Sequence, residues 1–345
     1  MTTTKHIHIP STVGVGKLDV GGLTLGTFSK RNRADVPHYV AWGDASNYLV
    51  GNNLHQYARP LESLNFQRFA DGLGMRPLTY ATLGLLLGEG EHHTSIMVGL
   101  PVEVMEDKPL LRKTKRSLRD WLEGTHTFSV DHKETIVHVE KVAAMPQPAG
   151  TFFAWGLNNH GQWIKTAEDF DATIAICDVG FNTLDVFTLQ GGKVMRRFTG
   201  GDTVGMRQAV ELISRSLKNQ YDVRYSLHEV DEFIRGGNTI ISNAAGRLDL
   251  SNLIADAKST ASDGVNTFLG KQWGNGRQFD DIIFTGGGAA AIRDALIEQY
   301  PLGYIMPDPV MANAQGLARY GKRYFDTDVV IGLDPGFGGF KGVLL

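Results

Sequence analysis

The feature that most constrains this chain is a motif that occurs twice. DVGFNTLDVFTL (178–189) and DPGFGGFKGVLL (334–345) align at a spacing of 156 residues. Each has an Asp at the end of an apolar run, then x-Gly-Phe, a polar or glycine turn, and an apolar return strand. The spacing is about one domain length, so the pair predicts two duplicated halves. A hairpin tip made of Gly336, Phe337, Gly338 and Gly339 can turn several backbone N–H groups toward one point, and glycine leaves no Cβ to block an anion. Phe340 and Lys341 begin the return strand, and Lys341 brings a cation to the same anion. Asp334 is suited to hold, through water, the Mg²⁺ that phosphates bring. In the second copy Gly180, Phe181, Asn182 and Thr183 form the turn and Asp178 supplies the carboxylate. Two such loops suit a polyphosphate clamped from both sides.

The rest of the chain alternates strands and helices, which predicts an α/β fold. Short β-like runs fill residues 1–60, PLTYATLGLLL (77–87) reads as a buried helix and TSIMVGLPV (94–102) as a core strand. Residues 107–123 have apolar positions at helical spacing and a basic outer face. A strand is expected over 135–145 and helices over about 149–158, 202–221, 248–269 and 311–320, with hairpins at 173–189 and 328–345. IIFTGGGAA (282–290) runs a strand into Gly286, Gly287, Gly288 and Ala289, a backbone that can lie flat against a nucleoside beside a helix N-terminus.

The 345 residues are 42% hydrophobic and 21% charged, enough to bury two sizeable cores. Lys and Arg number 34 against 37 Asp and Glu, which supplies no global drive toward DNA or anionic membranes. One cysteine, Cys177, excludes a disulfide framework and a thiolate-rich zinc site; on a buried strand it reads as a core residue. No apolar run is long enough to span a bilayer and MTTTKHIHIP is no signal peptide, so a cytoplasmic protein is expected. GVGK (14–17) is not a P-loop, because Ser11 stands where the first Gly belongs and Leu18 replaces Ser/Thr. His6/His8 and His92/His93 lack any metal-binding spacing, and the basic run Lys108, Arg112, Lys113, Lys115, Arg116, Arg119 reads as a solvated helix face.

With these motifs in place, the chain resembles the actin, Hsp70 and sugar-kinase superfamily. DPGFGGFK is similar to its first phosphate loop, DVGFNTLD to its second and FTGGGAA to its adenosine motif. PQPAG (146–150), GGDTVGM (200–206), DPVMANAQGLARYG (308–321), YLVGN (48–52) and MVGLPVEVM (97–105) resemble segments of bacterial and archaeal actin-like ATPases of the ParM type. That family begins with the first phosphate loop, whereas here the loop ends the chain, and HIHIPSTVG resembles the strand that should follow FKGVLL. The resemblance therefore implies a circularly permuted actin-like fold. Its first lobe would comprise residues 1–158 and 326–345, its second 159–325, with nucleotide in the cleft between them.

The resemblance also implies roles. Gln147 would orient the attacking water and Asp178 would polarise it, with Asp178 and Asp334 holding Mg²⁺ through water. The two loops, Gly201, Asp202 and residues 286–289 would bind ATP or GTP. Hydrolysis would control self-assembly into filaments, with a separate DNA-binding adaptor for plasmid or other DNA segregation. No direct specific nucleic-acid or membrane binding is expected. A small-molecule kinase and a non-polymerising nucleotide-dependent scaffold share the same loops and remain the alternatives.

Overall fold

Residues 4–16, 36–43, 46–61, 74–235, 237, 239–243 and 246–345 are described by the computed structural model. They form two compact units, residues 1–165 with 311–345, and 166–310.

The first unit opens with strands β1 (Lys5–Ile9), β2 (Val13–Val15), β3 (His38–Trp42) and β4 (Ser46–Val50). Helix α1 (Met75–Leu87) follows, then β5 (Gly90–Leu100), α2 (Val102–Glu106), α3 (Lys108–Leu122), β6 (Gly124–Val130), β7 (Lys133–Pro146) and α4 (Gln147–Gly156). The second unit holds α5 (Ala167–Asp171), β8 (Thr173–Val179), β9 (Leu184–Gln190), β10 (Lys193–Val194), β11 (Gly200–Asp202), α6 (Arg207–Tyr221), α7 (Leu227–Arg235), β12 (Ile240–Asn243), β13 (Gly246–Asp249), α8 (Ser251–Trp273), β14 (Asp281–Thr285), α9 (Gly286–Ala291), α10 (Arg293–Gln299) and β15 (Gly303–Ile305). The chain then returns to the first unit with α11 (Ala312–Phe325), β16 (Val330–Pro335) and β17 (Phe340–Leu344).

The uninterrupted apolar runs became the central strands, as burial on both faces requires. Every residue of β16 is buried, and all but Asp178 of β8. The first sheet runs β1-β17-β16-β5-β7-β6-β3-β4-β2, and the second runs β10-β9-β8-β14-β15 with β11 also on β9. In both, an antiparallel hairpin (β16–β17, β8–β9) is joined through its first strand to two parallel neighbours, β5 and β7 or β14 and β15. On the outer side of each hairpin, β10 and β11 beside β9 follow it in the chain, whereas the strand beside β17 is β1, with Lys5 opposite Leu344 and Ile9 opposite Phe340.

Helix α1 is apolar on most sides and is buried against the first sheet, where Leu83 and Leu86 meet Ile96, Val98, Ile331 and Leu333. Each such buried side chain contributes about 1.5–3 kcal/mol. The Asp107 side chain caps α3 by accepting from Leu110 N at 3.0 Å. Thr114, Leu118 and Leu122 then enter the core at i, i+4 and i+8, and the basic run occupies the outer face. In the second unit Ala209, Ile213 and Leu217 of α6 pack with Val265 and Leu269 of α8 and Phe284 of β14.

Several boundaries differ from the sequence reading. Strand β6, unforeseen, pairs antiparallel with β7 through a two-residue turn in which Asp131 and His132 both have positive φ. The Asp131 side chain holds that turn by accepting from Tyr39 N at 2.9 Å. The helix expected from 202 starts at Arg207, because residues 200–202 are drawn into pairing with β9. The one expected from 248 starts at Ser251, because residues 246–249 pair with β12. Two segments expected in the second lobe pack in the first unit. The Arg319 guanidinium of α11 donates to the carbonyls of Ala154 in α4, at 2.5 Å, and of Leu157 just past its end, at 3.0 Å, and Thr151 donates to Asn313 at 2.7 Å. Residues 159–165 fold back so that Trp163 packs on Phe152 and Trp155, and Lys165 lies over the Trp155 ring. Lys17 of the GVGK run lies outside the described residues. No described helix is long and apolar enough to cross a membrane.

Candidate functional site

The repeated motif folds into the same turn twice. In the β16–β17 hairpin Asp334 is the Cα partner of Lys341, and Gly336 N donates to Gly339 O at 3.0 Å. In the β8–β9 hairpin Asp178 is the partner of Asp185, and Gly180 N donates to Thr183 O at 2.8 Å. A shift of 156 residues maps each of these pairs onto the other. The copies differ at the second position of the return strand, Lys341 in one and Asp185 in the other.

In the first hairpin the Asp334 side chain is only 2% exposed, and its Oδ2 accepts from Lys341 Nζ at 2.9 Å. Asp334 Oδ1 is buried with no hydrogen-bond partner. That oxygen is a hard acceptor that a water or a water-bearing cation could satisfy. Phe337 and Gly338 form the partly exposed tip, while Gly339 is buried. Phe340, expected at the binding surface, is instead fully buried in the core; its alternation on β17 turns it inward.

Gln147 is buried at the first position of α4, and its Nε2 donates to Pro335 O at 3.0 Å. As a polar side chain between two prolines it could have been a surface loop residue; the fold places it under the hairpin turn. Gly99 of β5 makes this approach possible. A Cβ there would come within 2.8 Å of Gln147 Cγ and 3.5 Å of Asp334 Oδ1. Gln147, Asp334 and the turn therefore meet over one bare backbone position.

In the second hairpin the N-terminus of α6 holds the turn: Met206 N donates to Gly180 O at 3.3 Å and Arg207 N to Phe181 O at 2.7 Å. Arg207 Nη1 also donates to Asn182 Oδ1 at 3.3 Å. Asn182 and Thr183 are partly exposed at the tip, and Phe181 packs on the core beneath. Gly201 and Asp202 are exposed and lie opposite Asp185 and Leu184 on β11. Burial first, and then the Asp178 and Asp185 carboxylates, raise the Cys177 thiol well above its ordinary range, so it stays neutral and is no nucleophile.

The glycines after β14 form the first turn of α9, which is built against the second hairpin. Thr285 Oγ1 and Gly286 N both donate to Pro309 O, at 2.9 and 2.8 Å. Gly286 has φ +86° and is packed so closely on Asp178 Oδ1 and Val179 O that no Cβ fits. Gly287 is exposed with open space beside it, whereas Gly288 and Ala289 are buried. Within the second unit, then, Asp178, the 180–183 turn and the 286–289 turn come together; within the first, Gln147, Asp334, Lys341 and the 336–339 turn do.

Two side chains at the first hairpin were missed from sequence. Ser11 Oγ donates to Gly336 O at 2.5 Å, and the His8 ring lies where a Gly339 side chain would be. The β1–β17 register, which sets His8 opposite Lys341, is the signal that points to them.

The duplicated α/β architecture is matched by family models in both halves. Residues 1–150 match the model of the actin like proteins N terminal domain, and residues 176–298 match that of the archaeal actin homologue MreB-like, C-terminal. The chain belongs to the actin-like proteins. No curated protein sequence matches it. Among solved structures it is similar to a non-polymerisable quadruple mutant of pCBH ParM, with 20% identity, TM-score 0.71, and 91% of this chain and 92% of that one covered. It is similar to the 15-stranded ParM filament from Clostridium botulinum, with 20% identity, TM-score 0.69 and the same coverage. The archaeal actin homolog Ta0583 in complex with ADP aligns at 16% identity and TM-score 0.67, covering 83% of this chain and 89% of that one.

Proposed function

We propose that this chain binds one Mg-nucleotide, ATP or GTP, hydrolyses it, and uses the cycle to control assembly of a filament of its own copies. The observation that carries this reading is the repeated hairpin, with its Asp, its Gly-Phe and its turn hydrogen bond in the same register twice. Residues 336–341 of the first hairpin and 180–183 of the second would receive the phosphates, with Lys341 as the cation, and Gly201 and Asp202 beside the second. Residues 286–289 would lie against the nucleoside. The donor set fits Mg²⁺: it takes hard oxygen ligands and keeps several waters, and the partnerless buried Oδ1 of Asp334 and the Asp178 carboxylate are such oxygens. When bound, the ion would neutralise phosphate charge. Gln147, fixed by its hydrogen bond to Pro335 O, would orient a water rather than remove its proton, and Asp178 would polarise it.

Two of the similar structures concern ParM, one of them as a filament and one as a non-polymerisable variant, and that supports self-association. Nucleotide turnover would shift the subunit between states that pack well and poorly. The role we assign is cytoskeletal, with DNA segregation through a separate DNA-binding adaptor as its specific form, in the cytoplasm. We further propose that the chain is circularly permuted. Strand β1 lies antiparallel beside β17, with Lys5 opposite Leu344 and Ile9 opposite Phe340, so the strand that would follow FKGVLL in the family's order is supplied by an earlier segment of the chain. A variant reordered so that β16 and β17 precede β1 should unfold cooperatively and bind nucleotide; loss of both would contradict the permutation.

The function is tested by light scattering and phosphate release in one cuvette after Mg-ATP addition. A rise above a critical concentration that decays as phosphate accumulates supports it. Flat scattering with phosphate transfer only to an added acceptor would mean a kinase, and binding without turnover would mean a scaffold. Gln147→Ala should slow phosphate release by about 10²-fold while sparing binding, as expected for loss of a group that positions the attacking water.

A further inference from the structure

At the beginning of β5 and β7, away from the strand ends that carry Gln147 and Gly99, three side chains point to another site. His93 and His138 are direct Cα partners on adjacent parallel strands, and Glu91 lies two residues before His93 on the same face. The two imidazoles stack with centroids 4.5 Å apart. His138 Nε2 lies 2.7 Å from Glu91 Oε1, and one ligand atom from each of Glu91, His93 and His138 falls within 4.8 Å of the others. Glu140 reaches the same place, with Oε1 3.6 Å from His93 Nδ1.

We propose that Glu91, His93 and His138 form a binding site for a divalent transition metal, Zn²⁺ foremost. Two imidazoles and one carboxylate are the donor set that zinc and its neighbours prefer, whereas Mg²⁺ and Ca²⁺ take oxygen alone. The set is also supported from behind. Thr125 of β6 lies opposite His138, and its hydroxyl is hydrogen-bonded to His138 Nδ1 at 2.9 Å. Such a bond fixes the ring orientation and leaves Nε2 as the metal-facing atom, the arrangement usual behind ligating histidines. Glu91 and His93 are well exposed and His138 is half-buried, so an ion can enter from solvent and retain open coordination positions. The sequence hid the site because its ligands come from two strands whose order no local spacing reveals.

The test is titration of metal-stripped, nucleotide-free protein with ZnCl₂ against a chromophoric chelator, with the melting temperature followed in parallel. The wild type should bind one Zn²⁺ per chain at this site and melt at higher temperature with the ion. His93→Ala, an exposed substitution that spares the fold, should lose that ion and its melting shift. Thr125→Val should weaken binding about 10-fold, the usual cost of losing an outer-shell partner. Unchanged zinc affinity and melting shift in His93→Ala, or no zinc taken up by the wild type, would overturn the site.

Discussion

Replacing Lys341 with Met isolates the buried ion pair of the first hairpin. Asp334 is almost completely buried and, among the described residues, Lys341 is the cation hydrogen-bonded to it, at 2.9 Å. Met fills much of the same volume, so the loss is chiefly electrostatic. Breaking a buried ion pair from one side leaves an uncompensated charge and costs about 3–5 kcal/mol. For a unit of this size that corresponds to a fall in Tm of roughly 6–20 °C. Removing the charge as well, in Asp334→Asn/Lys341→Met, should recover about 2 kcal/mol, because contacting residues couple by amounts of that order. Urea unfolding of nucleotide-free wild type, both single variants and the double variant gives the full cycle. A Lys341→Met loss under about 1 kcal/mol, the range of an exposed ion pair, would refute the burial on which the argument rests. So would a double variant no more stable than Lys341→Met alone.

Three further substitutions probe the second unit and strand β6. Gly286→Ala should destabilise by about 2–3 kcal/mol in urea, since it combines positive φ with overlap on Asp178 and Val179, whereas Gly287→Ala, next along and open, should be neutral or stabilising by up to about 1 kcal/mol. Equal effects at both would contradict the packing of this turn on the second hairpin. His126 is partly buried, with Nε2 2.7 Å from Leu122 O and Nδ1 3.1 Å from the Tyr80 hydroxyl, and burial lowers its pKa below the ordinary histidine value. The unfolded chain therefore takes up this proton first, and stability falls as pH drops below about 6.5, by at most about 1.4 kcal/mol per pH unit. His126→Gln should flatten that part of the stability profile; an identical slope would mean the ring is not held neutral.

What could be read from sequence was what local pattern encodes. The apolar runs of β8, β14 and β16 are strands because they are buried on both faces, and α1 and α3 announced themselves by apolar content and by helical spacing. Both hairpins were legible because Asp, Gly and the return strand recur at one spacing. Strand β6 was not, because Asp131-His132 lacks the Asn-Gly signal of a tight turn and is held instead by a bond from Tyr39, 92 residues away. The burial of Gln147 depends on Gly99, on Pro335 and on α11, three separate segments, so no local rule could have revealed it. The extent of the first unit was hidden for the same reason: Arg319 and Trp163 choose their partners by packing on α4. His8 and Ser11 become visible only when β1 is paired with β17.

The most direct test of the central claim is calorimetric titration of the chain with Mg-ATP, comparing wild type with Lys341→Met and with Asn182→Ala/Thr183→Ala. The account predicts one nucleotide per chain, with affinity falling at least 10-fold when either hairpin is altered, the loss expected for one charge-assisted phosphate contact. Two nucleotides per chain, or binding that survives unchanged when one hairpin is altered, would contradict it.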